Sequence, residues 1–246
     1  MIDILIDHWQ TFLVGPYPQG PLGGVALTIV VALVCIAASL PLALVLALCR
    51  TSRYRVLRWP AFAIIQVVRG LPLLMFIFWA YFLLPALTHL TVSALVTLIC
   101  ALVIYQSAYL AEVIRSGIEA IPRGQSEAAR SLGLGYFGTM RHIIVPQALY
   151  NVLPSMLSEF ISTIKETSLG YVIGVQELTF AATQVNSLLL VKPVQVYVLL
   201  AAIYFVVCFC LTRTARWLEH RVINRRTGIS VPKTRRGFVK VARVQK

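Results

Sequence analysis

Long apolar stretches with almost no charged residues dominate the chain, and they occupy approximately residues 22–49, 59–85, 92–114, 148–173 and 194–214. Each is long enough to cross the hydrocarbon core of a bilayer, because about 20 helical residues at a rise of about 1.5 Å suffice. The pattern therefore predicts five transmembrane helices in an all-α integral membrane protein. The opening residues, MIDILIDHWQTF, contain two aspartates and no lysine or arginine, so we expect a short amphipathic helix at the membrane surface rather than a cleaved signal peptide.

Composition agrees with this prediction. The chain has 246 residues, of which 59% are hydrophobic and 13% are charged, whereas soluble domains average about 25% charged residues. No part of the sequence outside the apolar stretches is long enough to fold as a second domain. We therefore expect one membrane domain over residues 1–228 and a basic tail over residues 229–246 that lies along anionic lipid headgroups.

The basic residues are distributed unequally between the predicted loops. Of 22 lysines and arginines, four lie within residues 50–58, four within 115–141 and eleven from 213 to the end, whereas the alternate loops contain only Lys192. Because basic loops stay in the cytoplasm, the pattern predicts that the N-terminus lies outside and the C-terminus inside. This asymmetry accounts for the net charge of +13, so we do not expect a nucleic-acid partner.

Sequence motifs for catalysis are absent. The five cysteines lie in or beside apolar stretches, and the four histidines have no ligand spacing, so neither disulfides nor a metal site is predicted. No glycine precedes a lysine anywhere, which excludes a phosphate-binding loop of the Gly-Lys-Ser/Thr type. We therefore expect a non-catalytic chain that binds no cofactor, and any work that it performs must be driven by a partner or a gradient.

A polar segment between the third and fourth apolar stretches, called here the insert (residues 122–146), is predicted to fold as two short helices. Pro122 should end the preceding helix, Ser126 is a candidate N-cap, and Gly133 should end the first short helix. An ordinary polar loop is the alternative, but ordinary loops are shorter. The insert therefore indicates a structured docking surface.

The spacing within the insert resembles the cytoplasmic signature of ABC importer permeases. Glu127-Ala128-Ala129 is followed by Gly133, Ile143 and Val145-Pro146, with valine in place of the usual leucine. The stretches AYLAEVIRSGIEAIPRGQSEAARSLGL, VRGLPLL and KETSLGYVIGVQELT are similar to the polar amino-acid branch, which imports histidine, lysine or arginine, glutamine, and glutamate or aspartate. The resemblance covers roughly residues 24–222.

This resemblance implies the five-helix, MetI-like fold of type I importer permeases. It also implies a complex with a second permease subunit, identical or related, two cytoplasmic ATPase subunits that bind ATP and magnesium, and an extracytoplasmic solute-binding protein. The insert would then be a coupling helix that docks on the ATPase. The residues expected to couple are Glu127, Ala128, Ala129, Arg130 and Gly133.

Charged residues inside predicted transmembrane segments indicate where a substrate would bind, because they are costly there without a function. Arg69 lies about ten residues inside the second stretch, next to Gly70, and Pro72 should break that helix. In the fourth stretch, polar side chains recur at helical spacing on one face. The candidates on and after that face are Glu159, Ser162, Thr163 and Glu166, followed by Thr167 and Ser168, which match the family's Thr-Ser pair.

Two structural alternatives remain open for these charges. Arg69 can pair with Glu159 or Glu166, and Lys165 can pair with Glu112 or Glu166, to brace the helix bundle. The substrate class is open as well. The resemblance implies cationic amino acids, because related permeases for them often carry a carboxylate at the position of Glu159, whereas FIFWAYFLLP is similar to acidic amino-acid permeases.

Other functional classes make distinguishable predictions. An ion-coupled carrier needs more helices or an inverted repeat, and neither is visible. A permease-like scaffold or sensor would use the insert to bind a partner that is not an ATPase, and co-purification with an ATPase subunit would exclude it.

Overall fold

The computed structural model describes residues 2–89, 92–190 and 192–227 and is helical throughout most of them. Its helices are α1 (Ile2–Val14), α2 (Gly24–Thr51), α3 (Arg55–Gly70), α4 (Leu73–Phe78), α5 (Leu84–Thr88), α6 (Ala94–Glu119), α7 (Arg123–Ser131), α8 (Tyr136–Thr139), α9 (Val145–Glu166), α10 (Leu178–Leu189) and α11 (Pro193–Thr227). Short π-helical turns join α4 to α5 and α8 to α9, and a 3-10 turn, Thr167–Ile173, follows α9. The predicted tail, residues 229–246, lies outside the described residues.

Three of these helices, α2, α6 and the Pro193–Trp217 part of α11, are long and apolar enough to cross a membrane. A fourth crossing is possible if α3 and the helices from Leu73 to Thr88 count as one bent span. The fourth predicted stretch, residues 148–173, corresponds to α9 and the 3-10 turn, where Glu159, Lys165 and Glu166 make the helix more polar. The structure is therefore an all-helical membrane bundle with several candidate spans.

The core forms where α2, α3, α6 and α9 pack together. Small residues permit close packing, because Ala43, Ala47, Ala111 and Ala148 are all fully buried at the end of the bundle that carries the insert. At Gly117 of α6, an added Cβ would lie 2.9 Å from the Ala148 carbonyl oxygen of α9. The two helices thus approach too closely for a larger residue at this position.

A second core region lies at the opposite end of the bundle, around Leu27, Cys35, Ile77, Leu98 and Leu102. A third is formed by α1, α10 and α11, with Phe12, Leu178, Val185 and Val196 at its centre. The predicted N-terminal helix is confirmed, and Ile4 and Phe12 on its apolar side pack inside the protein, whereas its location at the membrane surface stays a prediction. The helix α10 was not predicted from the sequence.

The start of α10 is stabilised by a buried acid outside the candidate membrane spans. Glu177 is fully buried, and its two carboxylate oxygens accept hydrogen bonds from the backbone N–H groups of Thr179 (2.9 Å) and Phe180 (3.0 Å) and from the Tyr204 hydroxyl (2.9 Å). Burial raises the pKa of Glu177 to about 7, although these hydrogen bonds oppose the shift. The residue is an N-cap that ties α10 to α11.

Candidate functional site

The chain turns sharply in the middle of its second apolar stretch. Helix α3 ends at Gly70, Pro72 is the N-cap of α4, and the helices on the two sides of the break differ in direction by 103°. Proline has no N–H to continue the hydrogen bonds of α3, which explains the position of the break. The predicted interruption is confirmed, and it places Arg69 in the last turn of α3.

Arg69 contacts α6 rather than α9. Its Nη1 atom lies 4.0 Å from Oε2 of Glu112, and its guanidinium carbon lies 5.0 Å from the ring centroid of Tyr109, within the range of a cation–π contact. The Arg69 side chain retains 36% exposure. Its charge is therefore only partly compensated, and its donors remain accessible.

Glu112 is shared by arginines from three helices. Arg115 of α6 donates to its Oε2 atom from Nη2 and Nε at 2.8 and 2.9 Å, whereas Arg50 of α2 and Arg69 of α3 each lie at 4.0 Å. Arg115 also pairs with Glu119, four residues further along α6. One carboxylate thus holds the facing ends of α2, α3 and α6 together while two guanidinium groups remain incompletely paired.

No ion pair expected from the sequence for Arg69 or Lys165 is found among the described residues, although Lys165 interacts electrostatically with Glu166. The ion pair of Arg69 is with Glu112, not with Glu159 or Glu166, although Glu159 interacts electrostatically with Arg69 at longer range. Lys165 is exposed and forms no ion pair with Glu112 there. The reason is helical geometry, because Glu112 faces α2 and α3, whereas Lys165 lies off the polar face of α9.

The predicted polar face of α9 is present, but its members differ in availability. The hydroxyl groups of Thr163 and Thr167 are fully buried and donate to the backbone carbonyls of Glu159 (3.1 Å) and Ile164 (2.7 Å). Ser168 likewise donates to the Lys165 carbonyl at 2.6 Å. These hydroxyls satisfy their own helix, which suits a structural role.

The carboxylates on this face remain available. Glu159, Ser162 and Glu166 are half-buried, and the Oε2 atom of Glu166 is buried with no hydrogen-bond partner among the described residues. A buried acceptor without a donor is costly, which makes Glu166 a candidate for contact with a bound molecule.

Helix α6 contributes a polar face that the sequence reasoning missed. The hydroxyl groups of Tyr105 and Tyr109 lie 3.2 Å apart, and their rings are separated by 4.9 Å. Tyr105 is within electrostatic range of Glu159 and Glu166, and the buried Gln106 interacts with Glu159. The signal was available, because residues 105, 109 and 112 recur at i, i+4 and i+7 and mark one helical face.

These side chains place opposite charges on the facing sides of α3, α6 and α9. Arg69 lies at one end, beside the break between α3 and α4, Tyr109 and Tyr105 follow along α6, and Glu159 and Glu166 lie at the other end. Such an arrangement can bind a molecule that carries both a carboxylate and an ammonium group, through charge-assisted hydrogen bonds. No group of three or more metal-ligating side chains occurs in the described part of the chain.

The insert forms a second candidate site at the end of α6. Helix α7 ends at Ser131 with Leu132 as its C-cap, and Gly133 adopts a left-handed conformation with φ of +81°. The N–H of Gly133 donates to the Arg130 carbonyl (2.9 Å), and that of Leu134 donates to the Ala129 carbonyl (3.1 Å). This pair of hydrogen bonds defines a Schellman motif, so the predicted glycine turn is confirmed.

The beginning of α7 differs from the prediction. Its N-cap is Pro122, and Ser126 lies inside the helix, where its hydroxyl donates to the Arg123 carbonyl at 2.8 Å. The N-cap assignment of Ser126 was wrong because Pro122 already supplies the extended residue before the first turn.

The coupling residues proposed from the sequence occupy different environments. Glu127, Ala128 and Arg130 are exposed on α7, whereas Ala129 is buried at 1% exposure against the chain itself. Two large apolar residues beside Gly133, Leu132 and Phe137, are 81% and 74% exposed. They were not singled out from the sequence, and they extend the accessible surface of the insert beyond the Glu-Ala-Ala motif.

Comparison with known proteins identifies the family of the chain. Residues 39–224 match the family described as binding-protein-dependent transport system inner membrane component. The inner membrane amino-acid ABC transporter permease protein YhdY of Escherichia coli (strain K12) is 37% identical over 209 residues, which cover 83% of this chain and 57% of YhdY. The probable glutamine ABC transporter permease protein GlnP of Bacillus subtilis (strain 168) is 37% identical over 217 residues, which cover 85% of this chain and 98% of GlnP.

A solved structure supports the same assignment. The crystal structure of an amino acid ABC transporter with histidines superimposes with a TM-score of 0.74 at 34% identity, covering 80% of this chain and 92% of that one. The chain therefore has the MetI-like helical fold of type I permeases. The family match, the similar relatives and the shared fold show that the chain belongs to the inner-membrane components of binding-protein-dependent transport systems and is an amino-acid ABC transporter permease subunit.

Proposed function

We propose that this chain is the membrane subunit of an ATP-driven importer for a polar or charged L-amino acid. The observation that carries the proposal is the arrangement of opposite charges between α3, α6 and α9. Arg69 would bind the substrate carboxylate, and Glu159 and Glu166 would bind its ammonium group or a cationic side chain. Gly70, Pro72 and Ser162 would shape the path at the helix break and on the face of α9.

The partner subunits follow from the same proposal. A second permease subunit would complete the translocation path, two ATPase subunits would bind ATP and magnesium, and a solute-binding protein would deliver the substrate. Two of the relatives, GlnP and GlnM, are both named as probable glutamine permeases of Bacillus subtilis (strain 168). Their occurrence in one organism supports a pair of related rather than identical permease subunits. This chain would itself bind no cofactor and hydrolyse no ATP.

Coupling would occur through residues 127–146. Glu127, Ala128 and Arg130 are exposed on α7 and would contact the ATPase, with Leu132 and Phe137 providing apolar contacts beside them. Ala129 would instead anchor α7 to the bundle, and Gly133 would set the exit direction of the chain. This arrangement would carry movement of the ATPase directly to the end of α6, because only Pro122 and its neighbours separate the two helices.

Five transmembrane helices with an external N-terminus form part of the proposal. Nineteen basic residues in three loops against one in the others support this orientation.

The substrate class within the amino acids is a finer proposal: Glu159 favours cationic amino acids or related amines, with acidic amino acids next. Relatives named for glutamine, L-cystine, arginine and octopine transport are consistent with a site that varies in specificity within one fold.

Reconstitution of the complete transporter with ATP inside proteoliposomes tests this function. We expect ATP-dependent uptake of a radiolabelled amino acid, and loss of most uptake in Arg69→Met without loss of the protein from the membrane. Ser158→Ala, which changes an exposed residue next to Glu159, is the matched control and should transport normally. A chain that co-purifies with no ATPase subunit and transports no amino acid would contradict the proposal in favour of a scaffold or sensor.

A further inference from the structure

The turn between α2 and α3 carries a positively charged cavity that the transport path does not use. A cavity of about 230 Å³ is lined by Arg50 at the end of α2 and by Arg58, Trp59 and Phe62 of α3. No acidic residue lines it. We propose that this cavity binds the phosphate group of an anionic membrane phospholipid.

The guanidinium groups at this cavity are poorly compensated within the chain. The Nε atom of Arg50 lies 4.0 Å from Oε1 of Glu112, which Arg69 and Arg115 also approach. That Nε atom is buried and has no hydrogen-bond partner among the described residues. Arg58 forms no ion pair within the described part of the chain. One arginine that is only loosely paired and one without an ion pair in the described part of the chain line the same cavity, and together they fit an anion with several oxygens, such as a phosphate diester.

The aromatic side chains explain why the anion belongs to a lipid. The Arg50 guanidinium stacks on Phe62 at 4.6 Å, and the Trp59 and Phe62 rings meet edge to face at 5.9 Å. Trp59 retains 61% exposure, so the cavity has an apolar wall that faces the surroundings of the bundle. A phosphate between the arginines would leave its acyl chains against this wall.

The location of the cavity agrees with a headgroup. It lies where the apolar helix α2 ends, at the same end of the bundle as the insert, since Arg53 in the adjoining turn stacks on Tyr136 of α8 at 5.8 Å. Exposed Val56, Leu57 and Trp59 alternate with Arg55 and Arg58 along the first turns of α3. Arginine beside tryptophan at the end of a span is the composition that favours the interface between headgroups and acyl chains.

Native mass spectrometry of the full-length chain in detergent tests the site. The probe is an equimolar mixture of phosphatidylglycerol and phosphatidylcholine with identical acyl chains, and the readout is the ratio of the two lipids that remain bound. We expect a preference for phosphatidylglycerol that falls about tenfold in Arg58→Gln, since the change removes a charge-assisted hydrogen bond. The control Arg55→Gln removes an equal charge from the same turn of α3 but outside the cavity, and it should keep the preference.

Several outcomes would overturn the proposal. Equal retention of both lipids by the unaltered chain, or equal losses in Arg55→Gln and Arg58→Gln, would leave only general attraction to a charged surface. Displacement of phosphatidylglycerol by millimolar inorganic phosphate would assign the cavity to a free anion. Loss of the preference in the assembled transporter would assign it to an acidic side chain of a partner subunit.

Discussion

Replacing Gly133 with valine should uncouple the transporter while leaving the protein inserted in the membrane. Gly133 has φ of +81°, and nothing lies within 4 Å of a Cβ added there. The effect of Gly133→Val is therefore confined to the backbone conformation and includes no clash with neighbouring atoms. This makes the substitution a direct probe of the Schellman turn that ends α7.

The expected magnitude follows from the cost of left-handed backbone. A residue with a Cβ pays roughly 1–2 kcal/mol in this region, and β-branching adds stiffness. That is comparable with the coupling free energy of about 1–3 kcal/mol that links two sites in a typical allosteric protein. The native exit from α7 should therefore become about 5–30-fold less populated relative to alternative turns.

Two measurements on reconstituted transporter check this prediction. Substrate-stimulated ATPase activity and ATP-driven uptake should fall together in Gly133→Val, and Gly133→Asn should restore part of both because asparagine tolerates left-handed backbone. Gly135→Val is the matched control, since Gly135 is equally uncrowded but has φ of −68° and ψ of 169°, which valine adopts readily. Equal losses in Gly133→Val and Gly135→Val would refute the reasoning.

Three further predictions address selectivity, topology and pH. In a transporter for cationic substrates, Glu159→Gln should lower apparent affinity roughly ten- to a hundredfold in competition uptake assays, because a charge-assisted contact is lost. An unchanged preference order with a less stable complex would show a structural role instead. Thr88→Cys should react with impermeant thiol reagents from outside and Gly138→Cys only from inside, and external labelling of the latter would contradict the proposed coupling. Glu177 should make the solubilised protein less stable as pH rises from about 4.5 to about 7, because its carboxyl stays protonated in the folded state up to the raised pKa but ionises near 4.5 when unfolded. Glu177→Gln should therefore flatten the decrease of the unfolding temperature with pH between pH 5 and 8. An identical decrease in the variant would contradict the raised pKa of Glu177.

The sequence predicted those features that depend on local backbone chemistry. Pro72 and Gly133 determine a break and a left-handed turn through their own covalent structure, so both positions were correctly read before any fold was known. The predicted ends of α2 and α6 were also close to the observed ones, since a long apolar run in a bilayer has few structures open to it besides a helix.

The pairing of charges could not be read from the chain in the same way. The sequence analysis paired Arg69 with Glu159 or Glu166, the acids of the fourth apolar stretch, yet the ion pair found is with Glu112. Depth along a helix follows from residue counting, but the direction in which a helix faces depends on how α3, α6 and α9 rotate against one another. Similarly, α10 escaped prediction because its start depends on Glu177, whose hydrogen bond from Tyr204 spans 27 residues.

The position of Glu112 along the chain has a consequence for synthesis of the protein. Arg69 precedes its counter-charge by 43 residues, and ribosomes add about 5–20 residues per second, so the arginine is made about 2–9 seconds before the glutamate. An arginine at the centre of a membrane helix costs about 2.5–3.5 kcal/mol by insertion scales, which is an upper bound for Arg69 in the last turn of α3. During that interval Arg69 lacks the carboxylate that partly compensates its charge in the folded protein, and we expect the second apolar stretch to remain beside the insertion machinery until α6 arrives.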